Sequence, residues 1–165
     1  MTYTDGAQAG LKKPTLYHYF GSKSGLLHTL LAGNFEELFD DVDKAADYQG
    51  DVTMTLRRVA NVYFEYARQN PTLYRLQLSM WFAPAGSEAF KQAASCNQRQ
   101  QDILENMFLR ASMDHGNMKG RQRAYAATFL GIINTYAFLG LNGYAELNPA
   151  LVSNTVHQFM HGIFS

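Results

Sequence analysis

The sequence predicts an all-α fold, and three observations carry that prediction. Apolar residues recur at three- and four-residue intervals along most of the 165-residue chain, the spacing of one face of a helix. No stretch sustains the alternation of apolar and polar residues that marks a half-buried strand. Between the periodic segments stand Asn-Pro, Gly-Asp and Pro-Ala-Gly-Ser clusters, which stop one helix and cap the next.

The elements follow in order. Pro14 to Phe20 reads as a short helix with proline at its first position, where the missing N–H costs nothing, and Gly21 breaks it. Ser22 then caps a longer helix running to about Ala46, with Leu26, Leu27, Leu30, Leu31, Phe35 and Leu38 on its apolar face. After Gly50-Asp51 comes a helix striped by Val52, Leu56, Val59, Tyr63 and Tyr66, ending near Gln69. Asn70-Pro71 opens the segment Thr72–Phe82, which is apolar nearly all round and is therefore expected at the centre of the fold. Ser87 caps a helix bearing Phe90, Ile103, Leu104, Met107 and Phe108 that stops near His115-Gly116. A long segment from Lys119 to about Gly143 carries Tyr125, Phe129, Ile132, Ile133, Tyr136 and Leu139, and Asn148-Pro149 starts the last helix, striped by Val152, Val156, Phe159, Met160 and Ile163.

With 47% hydrophobic and 17% charged residues, the chain is apolar for a monomer, so part of its surface is expected against another subunit. The single cysteine, Cys96, excludes an internal disulfide and has no CxxC context for zinc or redox chemistry. No uninterrupted apolar run approaches the roughly 20 residues that cross a bilayer, and no basic-then-apolar signal pattern opens the chain, so a cytoplasmic protein is expected. Charge is segregated: Lys12, Lys13 and Lys23 form a basic tip, followed by an acidic collar of Glu36, Glu37, Asp40, Asp41, Asp43, Asp47 and Asp51.

The most specific stretch is Lys13-Pro14-Thr15-Leu16-Tyr17-His18-Tyr19-Phe20-Gly21-Ser22-Lys23, preceded by Ala9-Gly10-Leu11. It resembles the turn, recognition helix and following cap of TetR-type transcriptional regulators. The residues suit those roles physically, because Leu16 and Phe20 form an apolar edge while Thr15, Tyr17 and His18 sit near the helix start, where DNA is read. Lys12, Lys13 and Lys23 suit phosphate contact. The resemblance implies a helix-turn-helix domain over residues 1–46 with its connecting helix, then a helical ligand-binding and dimerisation domain over residues 47–165. It also implies that a complete member has a first helix and most of a second ahead of this motif, so the N-terminal domain reads as truncated. The chain as given is expected to bind operator DNA weakly or not at all, whereas full-length relatives bind a palindrome as dimers.

Large adaptable side chains concentrate on the middle helices: Tyr63, Tyr66, Tyr74, Leu78, Trp81, Phe82, Met107, Phe108, Phe129, Ile133 and Tyr136. As a set they suit a cavity for an apolar or aromatic effector, with Tyr hydroxyls, Arg75, Gln77 or Asn134 fixing its orientation, although for any single one of them ordinary core is the commoner role of such a stripe. The last two helices correspond in order to the pair that forms the dimer interface of the family, and Ala126, Ala127, Gly131, Ala137 and Gly140 would let helices approach closely. His157 and His161 share a helix face, but no third ligand completes a metal site, and no cofactor is expected. No GxSxG, GxGxxG, phosphate loop or Cys/His pairing is present, which argues against an enzyme. Two readings remain: a ligand-responsive regulator, most simply a repressor, and a helical small-molecule-binding dimer without DNA binding.

Overall fold

The computed structural model describes residues 23–162, and every element among them is helical. Six α-helices follow one another: α1 Lys23–Ala45, α2 Val52–Gln69, α3 Pro71–Trp81, α4 Glu88–Ala111, α5 Gln122–Leu141 and α6 Pro149–His161, with a single 3-10 turn at Gly116–Met118.

Helix α1 is the long helix foreseen after Ser22. It buries Leu31, Phe35, Leu38, Phe39 and Val42, one face of a 3.6-residue period, in the same core as the later helices. Ahead of Leu31 its described side chains are less covered: His28 and Thr29 are exposed, and Leu30 is 43% exposed. The bundle thus grips this helix from Leu31 onward. Two arginines satisfy the carbonyls at its C-terminal end. Arg58 of α2 donates to the oxygens of Ala45 (3.2 Å) and Asp47 (2.8 Å), and Arg110 of α4 donates to that of Ala46 (2.9 Å). Cations there complement both the orphan carbonyls and the negative end of the helix dipole.

Helix α2 is the hub, packing against α1, α3, α5 and α6. Asp51 caps it, its carboxylate accepting the Met54 N–H at 2.9 Å. Ser87 and Asn148 cap α4 and α6 in the same way, at 3.2 and 2.9 Å. Asn70, expected to cap α3 with its side chain, instead donates its amide back to the Tyr66 carbonyl at 3.4 Å.

Helix α3 departs from expectation. It buries only Tyr74, Gln77 and Met80, while Phe82 just beyond it is 79% exposed, so the helix lies at the side of the fold and not at its centre. It is apolar all round because its second face borders a cavity.

Helix α5 is by length and mean hydropathy long and apolar enough to cross a membrane, although Arg123, Asn134 and Thr135 interrupt its apolar run as expected. Here it packs against α2, α3, α4 and α6, and the buried Asn134 at its middle accepts a hydrogen bond from Tyr74. Gly140 lets the chain after α5 fold back, since a Cβ there would stand 2.4 Å from the Leu147 Cγ.

Candidate functional site

A cavity of about 780 Å3 lies between α3, α4 and α5. Leu78, Ser79, Trp81 and Phe82 form one wall, Ala127, Gly131, Asn134, Thr135 and Phe138 the other, with Gln101 and Arg75 completing the lining. The volume is that of a small-molecule site, and the surface is mainly apolar with a few polar groups. Arg75 is the one charged side chain in the lining. Its Nη1 donates to the Asn142 Oδ1 at 3.1 Å and its Nη2 to the Leu141 carbonyl.

The sequence candidates distribute unequally around this cavity. Leu78, Trp81 and Phe82 lie in its wall, as do Arg75 and Asn134. Tyr74 is buried behind the wall and reaches it through Asn134, its hydroxyl donating to the Asn134 Oδ1 at 2.8 Å. Tyr63, Met107, Phe108, Phe129 and Ile133 are buried in the general core. There Phe129 and Phe108 pack on the Phe159 ring at 5.0 and 6.0 Å, and Tyr63 donates to the Gln100 Oε1 at 3.0 Å. Tyr136 turns away from the cavity, donating to Gln158 at 2.8 Å. The residues the sequence did not single out for this cavity are Ser79, Gln101, Ala127, Gly131, Thr135 and Phe138. The one available signal was the uncharged face formed by Ala127, Gly131, Thr135 and Phe138 at three- and four-residue spacing on α5, part of which was read as subunit packing.

Burial pushes the Tyr63 and Tyr74 phenols well above their ordinary range, which keeps both as hydrogen-bond donors. Gln77 is 3% exposed, and among the described residues neither its amide nitrogen nor its oxygen meets a partner.

Contacts run without a gap from the cavity wall to α1. The Tyr74 ring lies 6.5 Å from that of Tyr66, which lies 5.8 Å from Phe35 of α1, and the Tyr66 hydroxyl donates to the Asn34 carbonyl at 2.8 Å. Phe35 stacks on Phe39 at 6.0 Å, and the Arg99 guanidinium of α4 lies 5.3 Å above Phe39. The same guanidinium pairs with Glu36 at 2.7 Å and Asp40 at 2.8 Å. Part of the acidic collar therefore fastens α1 to the bundle, and Asp47 does the same through Arg110 at 3.0 Å.

Across α5 lies a second, shallower groove of about 440 Å3, lined by Thr128, Gly131, Ile132, Thr135, Tyr136 and Leu139 with Gln158 of α6. Gly131 and Thr135 form the ridge shared with the larger cavity. The His157 and His161 rings are neighbours at 4.7 Å, and no group of three metal-ligating side chains assembles among the described residues. Cys96 is half-buried, and burial raises its thiol pKa, the opposite of what a reactive thiolate requires.

The DNA-side candidates Lys12, Lys13, Thr15, Tyr17 and His18 lie outside the described residues, as does the side chain of Lys23, the residue that opens α1. That region is where the family match falls. The family model described as "Bacterial regulatory proteins, tetR family" matches residues 6–30. The HTH-type transcriptional regulator BetI of Stenotrophomonas maltophilia (strain R551-3) is 29% identical over 131 residues, 78% of this chain and 66% of that protein, so the match spans just under two thirds of the relative. Among solved structures, the fatty acid degradation regulator FadR from Bacillus halodurans superposes with a TM-score of 0.77 at 18% identity, covering 96% of this chain and 86% of that one. A candidate fatty acid metabolism regulator from Clostridium perfringens gives a TM-score of 0.76 at 15% identity, covering 96% and 85%. The fold of the described helices is thus shared with both solved structures, and the segment that leads into and opens α1 is similar to the N-terminal model of the tetR family of bacterial regulatory proteins.

Proposed function

We propose that this protein is a ligand-responsive transcriptional regulator, a repressor that binds palindromic operator DNA as a homodimer. Residues 1–46 supply the DNA-reading motif and connecting helix, and residues 47–165 the ligand-binding and dimerisation body. In the motif, Thr15, Tyr17 and His18 face the DNA while Lys12, Lys13 and Lys23 contact phosphate. The effector is a mainly apolar small molecule held between α3, α4 and α5.

The observation that carries this reading is the path Asn134–Tyr74–Tyr66–Asn34, which connects the cavity wall to the helix following the DNA-reading motif. A ligand acts on DNA binding only through a difference in affinity between two arrangements of that helix. A molecule that displaces Asn134 bears on Tyr74, hence on the Tyr66 ring, and so on α1. The uncharged groove between α5 and α6 supports dimerisation there, since a partner seated on it leaves the larger cavity on the opposite side of the Gly131–Thr135 ridge.

The test is a fluorescence-anisotropy titration on DNA from the protein's own promoter region, using this chain and a form extended upstream. Saturable, salt-dependent binding to one site by the extended form is the expected outcome. Failure of both forms to bind at low salt would sink the repressor reading and leave the helical small-molecule-binding dimer.

A further inference from the structure

The larger cavity is apolar, yet its one charged lining residue is a cation. Arg68, Arg99 and Arg110 each hold a carboxylate, whereas Arg75, like Arg57, Arg58, Arg121 and Arg123, makes no ion pair among the described residues, and of these only Arg75 lines the cavity. Its two hydrogen bonds go to neutral acceptors, the Asn142 amide oxygen and the Leu141 carbonyl at the end of α5. These contacts hold the exposed guanidinium at the cavity's edge and leave its charge without a carboxylate partner and its remaining N–H donors open to solvent or to a ligand. No Asp or Glu lines the cavity, so nothing in the wall attracts a cationic ligand. Asn134 and Ser79 add neutral hydrogen-bonding capacity along the two walls.

Resting on the effector-binding reading above, we infer that the ligand is an amphipathic anion. Its acidic head seats on Arg75, and its apolar tail lies between Leu78 and Trp81 of one wall and Ala127, Gly131 and Phe138 of the other. Charge complementarity selects the head, because a guanidinium with free donors matches the planar, two-oxygen acceptor of a carboxylate or the oxygens of a phosphate monoester. The apolar surface selects the tail and supplies most of the affinity.

Trp81, the chain's one tryptophan, stands in the wall and reports occupancy by its own fluorescence. The experiment titrates the full chain with four probes that share a ten-carbon tail: decanoate, decyl phosphate, decanol and decyltrimethylammonium. At least one of the two anions is expected to bind about tenfold tighter than decanol, from one charge-assisted contact, and the cation more weakly still. The comparison of decanoate with decyl phosphate shows which acid the site takes. Arg75→Gln is expected to remove the preference for the anions while leaving decanol affinity unchanged, and Arg75→Lys to restore part of it. A merely structural role for Arg75 predicts instead that all four probes weaken together. Equal affinity of wild type for anions, alcohol and cation would overturn the head-group inference while the cavity stands. Binding of none of the four would overturn the effector-site reading with it.

Discussion

Tyr63, Tyr74 and Gln77 are all buried polar side chains, and they differ in what they meet. The two phenols each donate to a buried amide, Gln100 at 3.0 Å and Asn134 at 2.8 Å. The Gln77 amide has no such partner among the described residues. A buried amide stripped of water and left unpaired is destabilising, so an apolar side chain of similar length does better there. Gln77→Met is expected to stabilise the fold by about 1 kcal/mol, read as a higher midpoint in thermal denaturation followed by circular dichroism; an unchanged or lower midpoint would show that the amide is satisfied. At this scale the sequence was least informative. Tyr74 and Asn134 are 60 positions apart and Tyr63 and Gln100 are 37, and no local pattern distinguishes a tyrosine bonded across the core from one lining a cavity. Leu78, Trp81 and Phe82 stand in the wall while Met107, Phe108 and Phe129 do not, although all share the same apolar character.

Elements were more legible, because what starts and stops a helix is local. Asp51, Ser87 and Asn148 each accept the N–H three residues on; Ser87 is the cap the sequence predicts, and Asp51 and Asn148 stand where it predicts helix starts. Placement of α3 was not legible, since an apolar face looks the same whether it meets another helix or a cavity. Two glycines in helices of similar length show how packing separates identical residues. A Cβ at Gly33 of α1 meets nothing within 4 Å, and one at Gly140 of α5 collides with Leu147. Gly33→Ala is therefore expected to raise stability by up to about 1 kcal/mol through reduced backbone freedom in the unfolded chain. Gly140→Ala is expected to lower it by about 1–3 kcal/mol, as overpacking does. Urea denaturation of the two variants side by side checks both signs, and a stabilised Gly140 variant would show that Leu147 moves aside freely.

For the whole molecule, the phenols set an alkaline limit on stability. Burial raises the Tyr66 pKa to about 12 and pushes those of Tyr63 and Tyr74 well upward from the ordinary value of 10.0. Above pH 10 the unfolded chain loses protons that the folded chain retains. The stability these groups contribute is complete below pH 10 and declines as pH rises toward and past 12. Tyrosinate absorbance is expected to rise in two stages, exposed phenols first and the buried ones together with loss of helix; smooth ionisation of every tyrosine with helicity intact would contradict this. A different consequence follows from where the bundle takes hold of α1. From Leu31 back to Lys23 the helix extends about 12 Å at 1.5 Å per residue, with Leu30 already 43% exposed. That overhang is a moment arm. A tilt of about 5° at Leu31 swings the Lys23 end by about 1 Å, and in the proposed dimer the two ends move oppositely, changing their separation by about 2 Å against a half-site spacing of about 34 Å. A slight rotation inside the bundle, too small to disturb its packing, is thereby magnified into a mismatch with the pitch of DNA.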